Sequence, residues 1–322
     1  MSGASASITD HVLNATSSGP QHLGAIYEFV LRFRPRTAKE TVRARVYEAV
    51  EKGNLQRVAV GVYFAKSGPA TLVLIEGDTR EVLKSLEPSS IDAIVTDPPY
   101  DLGTRQHTAT GTTRPHKGQG RTYQQWDLDR ATLEAMFRVL RKDKLWNGLR
   151  GRTARGGGAL LLFVPPLTRS SWKHIVRLIT LAEDLGFTFY GSLVWDHEIM
   201  GMGYDCGRNR RNEILLFTAG RRNGLLWNLG MPNVLRHRRL SRRAGQHEAE
   251  KPVSLMMQLI NSVTRPGDVV ADFFVGRGRW IREAVSQGRH VIAVDVAPRW
   301  VKEIRGDFAM PRLDLAFSAG EA

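Results

Sequence analysis

Four aspartates close four apolar runs in this chain: Asp78 in "TLVLIEGD", Asp97 in "IDAIVTD", Asp272 in "DVVAD" and Asp295 in "HVIAVD". Asp97 is followed at once by Pro98, Pro99 and Tyr100. Proline has no amide hydrogen, fixes its own φ and restricts the residue before it. Two in a row make a stiff, extended backbone whose carbonyl groups have no ladder partner. Such a segment either ends a strand or aims its carbonyls at another molecule, beside a carboxylate that accepts hydrogen bonds and a ring that can stack. Asp272 lies just before "FFVGRGRW", where Gly276 and Gly278 let backbone come close to a ligand at a turn from strand to helix. Asp295 ends the next apolar run, where a carboxylate would bind the two hydroxyls of a ribose. The nucleoside so implied is either NAD or S-adenosylmethionine. A single aspartate at a strand end is usually a helix cap. Four on one rim, with a glycine turn among them, point to a ligand site.

The elements that must position these groups are strands and helices in alternation. From residue 71 onward, apolar runs such as "IDAIVT", "GGGALLLFV", "FTFYGSLVW", "NEILLFTAG" and "HVIAVDV" alternate with amphipathic stretches such as "DRATLEAMFRVLRK", "SSWKHIVRLITLAEDLG" and "PVSLMMQLINSVT". That pattern predicts an α/β fold with a doubly wound sheet, whose ligands bind outside the carboxyl ends of the strands. Ahead of it, residues 20–65 predict a small helical unit that ends in a hairpin. Leu23, Ile26, Phe29, Val30 and Phe33 share one helical face. Pro35 stops that helix, and Thr37 with Glu40 forms a capping-box pattern for the next. "LQRVAVGVYFA" then alternates as a strand does. The segment resembles a winged helix-turn-helix, which implies duplex contacts through Arg43 and Arg45. A protein-docking role is the alternative.

The boundaries expected are a disordered lead-in at 1–19, the winged module at 20–68, a large α/β domain at 69–310 and a C-terminal tail at 311–322. Two basic insertions, 101–158 and 200–250, interrupt the large domain. Lys and Arg number 46 against 32 acidic residues, a net charge of +14. A surplus gathered into such segments suits a polyanion, and nucleic acid is the commonest. Arg208, Arg210, Arg211, Arg238 and Arg239 are the candidate phosphate contacts. The single cysteine, Cys206, excludes an intrachain disulfide and a multi-cysteine zinc site. His107, His116 and His237 lack metal-ligand spacing, so no metal is expected. No apolar run is long enough for a bilayer span, and the polar start lacks the features of a secretory signal. A cytoplasmic, nucleoid-associated location is the expectation.

"DPPY" after a strand, followed by "KPVSLMMQLINSVTRPGDVVADFFVGRG", resembles the amino-group DNA methyltransferases, whose signature joins [DNS]PP[YFW] to a DPFxGSGT-like glycine motif. The likeness covers residues 71–305, and DPPY ahead of the glycine motif is the beta-class order. It implies an S-adenosylmethionine-dependent enzyme acting on double-stranded DNA, alone, as a homodimer or with a partner subunit. Asp97, Pro98, Pro99 and Tyr100 would form the catalytic motif. Asp78, Lys251, Asp272, Phe274, Gly276, Gly278 and Asp295 would line the cofactor pocket. "WDHEIMGMGYDCGRNRRNEILLF" is similar to the family's stretch that carries target contacts. The resemblance implies methylation of adenine N6, with cytosine N4 as the alternative that uses the same chemistry. The chain departs from the pattern at Phe273, where the family has proline. It departs again at Arg277, Arg279 and Trp280, which replace small hydroxyl residues that help hold the cofactor carboxylate. Either arginine could hold that carboxylate, crowd the pocket or face DNA. A DNA-binding protein on a decayed scaffold is the reading from a different class.

Overall fold

The computed structural model describes residues 6–17, 20–59, 62–65, 69–99, 128–147, 153–169, 171–199, 210–220, 231–240, 250–307 and 312–316. The N-terminal unit runs α1 (Ile8–Thr16), β1 (Gln21–His22), α2 (Leu23–Phe33), α3 (Lys39–Glu51), β2 (Leu55–Ala59) and β3 (Val62–Ala65). Its strands form an antiparallel sheet in the order β1-β3-β2. Residues 8–16, expected to be disordered, are helical. Ser7 and Asp10 form a reciprocal capping box there, and Val12 and Ala15 are buried against the other two helices. The capping box expected at Thr37 is not used. Helix α3 starts at Lys39 behind Ala38, with no side-chain cap.

The hairpin joins this unit to the rest of the chain. Successive residues of β3 point to opposite faces, and all four are buried. Tyr63 and Ala65 pack with α1 to α3, whereas Val62 and Phe64 belong to the core of the large domain. Phe64 stacks on His290 with ring centroids 4.1 Å apart, and the Gln56 amide donates to the Ser90 carbonyl at 2.7 Å. Arg57 pairs with Glu87 at 3.3 Å.

The large domain continues with β4 (Leu72–Glu76), α4 (Thr79–Ser85), β5 (Ala93–Thr96), α5 (Arg130–Val139), β6 (Lys144–Asn147), β7 (Thr153–Gly156), β8 (Ala159–Val164) and α6 (Trp172–Asp184). It goes on with β9 (Phe187–Asp196), β10 (Arg211–Ala219), β11 (Val234–Arg236), α7 (Val253–Val263), β12 (Val269–Asp272), α8 (Trp280–Ser286), β13 (His290–Asp295), α9 (Pro298–Asp307) and β14 (Arg312–Ala316). Among the described residues, nine strands form one mixed sheet in the order β11-β9-β10-β8-β5-β12-β13-β4-β14. Of these described strands, β10 alone runs against its neighbours; the rest share one direction. Side chains alternate along each strand, which builds two apolar layers. Ile94, Leu160, Leu162 and Ile292 pack under α4, α5 and α6 on one face. Ala93, Val95, Leu161 and Val291 pack under α7, α8 and α9 on the other. Burial on both faces explains why these strands read as unbroken apolar runs.

Several elements differ from expectation. Part of the basic insertion expected at 101–158 is the antiparallel ribbon β6–β7. Helix α9 and strand β11 were not anticipated, and residues 312–316 of the expected tail pair in parallel with β4 as an edge strand. Among the described residues, no helix is long and apolar enough to cross a membrane.

Parallel strands put their carboxyl ends on one rim, and the order of this sheet reverses between β5 and β12. The connection from β12 leads through α8 to β13 on one side. That from β5 leads through α5 to β8 on the other. A crevice opens where such connections part. Ser90 precedes β5 and His290 opens β13. The N-terminal unit is therefore seated at the amino ends of the strands, opposite that crevice.

Candidate active site

Asp97 leaves the carboxyl end of β5 at the mouth of the crevice, followed by Pro98 and Pro99; Tyr100 lies outside the described residues. The Asp97 carboxylate pairs with the Lys251 ammonium. Side-chain exposure of 22% for Asp97 and 14% for Lys251 leaves both open to a ligand, although neither is fully solvated. Lys251 comes from the segment that enters α7. Its ammonium lies 4.9 Å from the ring centre of Phe163, near the end of β8, and 5.9 Å from that of Trp195, near the end of β9. Both distances are within the range of cation–π attraction.

One strand over, Asp272 is buried at the end of β12. Its Oδ1 accepts from the Thr96 hydroxyl at 2.8 Å and from the Phe274 amide at 3.0 Å. Burial pushes this carboxyl up to about 7, and the nearby charges of Asp97 and Asp295 push the same way. The glycine turn follows, with φ of +54° at Gly276 and +56° at Gly278. At Gly278 a Cβ would also stand 2.5 Å from Cδ1 of Ile281 and 3.0 Å from Cδ1 of Ile304, so this glycine serves packing as much as ligand approach. Asp295 fastens the turn: its carboxylate accepts from the Gly276 amide and from the Ala297 amide, each at 2.8 Å. Burial raises its pKa, and those two amides act against the rise. Each of its oxygens carries a second lone pair, which leaves acceptor capacity for a diol.

Phe273 has an N–H where the family's proline has none, and that group donates to Thr96 Oγ1 at 3.3 Å. Its carbonyl accepts from the Thr79 hydroxyl at 2.7 Å, and its ring is fully buried. The two arginines of the turn are held by protein carboxylates. Arg277 pairs with Glu303 of α9 and, at 3.5 Å, with Glu250; Arg279 lies 2.9 Å from the other oxygen of Glu250. Glu250 is itself only 7% exposed. Two positive charges on one buried carboxylate clip the segment just before Lys251 onto the glycine turn.

Asp78 behaves differently from the other three aspartates. It caps α4 through the Arg80 amide at 2.8 Å, and both its oxygens meet the Arg80 guanidinium. The strand-end signature is shared by caps and ligand sites, and here the cap has the carboxylate. The structure thus brings together Asp97, Asp272, Asp295, Lys251 and the glycine turn, with Asp78 engaged at the edge.

Sequence reasoning did not single out Trp195, His197 or Asn212, although all three lie inside the stretch likened to the family's target region. The His197 ring lies tilted against that of Trp195, with centroids 4.4 Å apart, and its Nε2 lies 2.7 Å from Asn212 Oδ1. Burial lowers the His197 pKa. The topology that makes them neighbours of Lys251 is the antiparallel pairing of β9 with β10. That pairing also puts Arg210 and Arg211, at the start of β10, on the rim of Asp97. Arg238 and Arg239, just past β11, reach the same rim. Arg210 forms a two-bond pair with Asp196, and Arg211 pairs with Glu213 at 3.1 Å. Arg208 lies outside the described residues. Arg43 and Arg45 belong to α3 of the unit at the opposite end of the strands, bonded to Tyr47 and Glu48 respectively. Among the described residues, no group of three or more His, Cys, Asp or Glu could hold a metal ion.

Comparison with known proteins agrees with this geometry. YubD of Escherichia coli strain K12, named as a methylase, is 27% identical over 229 residues, which span 70% of this chain and 85% of that protein. The type II methyltransferase M.HpaI of Haemophilus parainfluenzae is 25% identical over 269 residues, 76% of this chain and 75% of its own. TTHA0409 of Thermus thermophilus, named as a DNA modification methylase and solved with S-adenosyl-L-methionine, shares the fold. Its TM-score is 0.51 at 19% identity, covering 77% of this chain and 99% of that one. The PvuII DNA methyltransferase, named as cytosine-N4-specific, gives a TM-score of 0.51 at 16% identity and covers 79% and 90%. The family model for the N6/N4 DNA methylases matches residues 91–305, about two-thirds of the chain, from the start of β5 through α9. This protein belongs to the N6/N4 DNA methylase family.

Proposed function

We propose that this chain methylates the exocyclic amino group of a base extruded from double-stranded DNA, with adenine N6 as the target, and that it belongs to the beta class. The observation that carries the reading is the placement of Asp97 and its prolines beside the Asp272–Asp295 glycine turn, on either side of the reversal in strand order. S-adenosylmethionine is the cofactor, and when bound it supplies an electrophilic methyl group on a sulfonium. The residues present fit it. A buried carboxyl at Asp272 and a second at Asp295 favour a cation carrying a ribose, and the positive-φ turn between them allows close approach of backbone.

The lone pair of an exocyclic amine is delocalised into its ring, which makes the nitrogen a poor nucleophile. With one hydrogen held by the Asp97 carboxylate and the other by the Pro98 carbonyl, the nitrogen is free to pyramidalise and turn its lone pair to the methyl group. The same two acceptors stabilise the positive charge that develops on nitrogen. Stiff prolines keep the carbonyl in place without reorganisation. Tyr100 would stack on the base, whose extrusion costs a few kcal/mol. The leading aspartate in DPPY favours adenine over cytosine.

The element order and strand pairing of the N-terminal unit support the reading of a winged helix-turn-helix. Strand β3 of the would-be wing packs Val62 and Phe64 into the core of the large domain, so duplex contact by this unit would come from α3. The rim arginines are the main phosphate contacts. Mass spectrometry of nucleosides from the DNA of cells expressing the protein tests the reading. N6-methyldeoxyadenosine is the expected product, and N4-methyldeoxycytidine would move the target to cytosine. Neither nucleoside above the level of cells lacking the gene would support the decayed scaffold instead.

A further inference from the structure

The ammonium of Lys251 sits on the carboxylate that, on the reading above, holds the target amine. It lies on the β8 side of Asp97, facing Phe163 and Trp195, and the glycine turn lies on the other side, past β12. A donor and an acceptor therefore stand side by side at the mouth of the crevice. Adenine and cytosine present the complementary pair. Each has an exocyclic amine, which donates, next to an unprotonated ring nitrogen, which accepts. At the equivalent position thymine (O4 and N3–H) and guanine (O6 and N1–H) reverse that polarity, with a carbonyl next to a ring N–H. We propose that Lys251 is a specificity-determining residue: its ammonium donates to the ring nitrogen beside the target amine while Asp97 accepts from the amine itself. This deepens the proposed function and rests on it.

Three features suit Lys251 to the task. The pair with Asp97 sets donor against acceptor before any base arrives, so little rearrangement is needed. Two aromatic faces keep the ammonium near the crevice. The neighbouring Glu250 is fixed by Arg277 and Arg279, so the backbone that carries Lys251 is tied to the glycine turn. The arginines that depart from the family pattern thus act as positioning residues for the lysine. Cofactor binding by Lys251, the role the resemblance implied, is the competing assignment.

The test is a chemical cycle on a duplex carrying the site mapped from modified DNA. One duplex has the natural target adenine. A second has 1-deazaadenine, in which the ring nitrogen beside the amine is replaced by C–H. Single-turnover methyl transfer is measured at saturating S-adenosylmethionine for the wild type, Lys251→Met and Lys251→Arg, and cofactor affinity is measured by calorimetry. The wild type should be slower on the deaza duplex by roughly 10- to 100-fold, the effect of one charged hydrogen bond. Lys251→Met should be slow on both duplexes and indifferent to the replacement, with cofactor affinity close to that of the wild type. Lys251→Arg, which keeps a donor, should retain a deaza penalty. Equal wild-type rates on the two duplexes would overturn the assignment of Lys251 alone. So would a Lys251→Met enzyme that keeps the full penalty but binds cofactor tenfold more weakly. A wild type that methylates neither duplex overturns the proposed function beneath it.

Discussion

Replacing Asp272 by asparagine tests the electrostatics of the pocket through stability. The Asp272 carboxyl is raised from 3.8 to about 7, chiefly by burial. A folded pKa above the unfolded one means that the folded protein favours the protonated form. The contribution is fully present below pH 3.8 and is lost as pH rises through about 7. Three pKa units correspond to about 4 kcal/mol of destabilisation above pH 7. About 3 kcal/mol of that falls between pH 5 and pH 8. Both hydrogen bonds accepted by Asp272 arrive at Oδ1, from Thr96 and Phe274, and an asparagine oxygen can keep them. Asp272→Asn should therefore be more stable than the wild type at pH 8, by an amount that shrinks by about 3 kcal/mol at pH 5. Urea unfolding at the two pH values reads the difference directly. The variant should also bind S-adenosylmethionine more weakly, since it loses a carboxyl that a bound cation would favour in its ionised form. A variant that is less stable than the wild type by the same margin at both pH values would refute the argument.

Two further outcomes follow from geometry. In Gly157→Ala the new Cβ would stand 1.9 Å from the Ala219 carbonyl oxygen and 2.7 Å from its carbon, where only backbone can yield. The paired ends of β8 and β10 must then part, with a loss of about 1–3 kcal/mol or more that a calorimetric scan would show as a lowered Tm; an unchanged Tm would contradict the packing described. For DNA, Arg238→Gln with Arg239→Gln should flatten the salt dependence of binding by about 0.9 in the log–log slope for each phosphate no longer neutralised. The corresponding change at Arg43 and Arg45, at the far end of the strands, should leave the slope nearly intact. The reverse ranking would place the duplex on the N-terminal unit.

The rim was readable in the sequence because its strands are buried on both faces. Each appears as an apolar run that stops at an aspartate, and a parallel sheet gathers those stops on one edge. The same local signature could not separate Asp78, which caps α4, from Asp272, which is buried. Only the third dimension shows that Arg80 takes the first carboxylate. The partnership of Lys251 with Asp97 spans 154 residues and leaves no local trace. The arginines of the glycine turn raised three readings in the sequence, and the fourth, anchorage on Glu250 and Glu303, required α9 to be in view. Helix α1 was missed although "SITD" holds its capping box, because small polar residues dominate the composition around it. Trp195 and His197 stand out in no local pattern, as single aromatics at and just past the end of a strand. Their meaning comes from the antiparallel β10, which brings the end of β9 to the rim that carries Asp97.

Rapid-quench methyl transfer by Asp97→Ala, with cofactor affinity measured alongside, is the most direct test that a carboxylate beside a rigid proline carbonyl activates the amine. The rate should fall by roughly 10²- to 10³-fold, with S-adenosylmethionine bound about as tightly as by the wild type. A rate equal to that of the wild type would contradict the account.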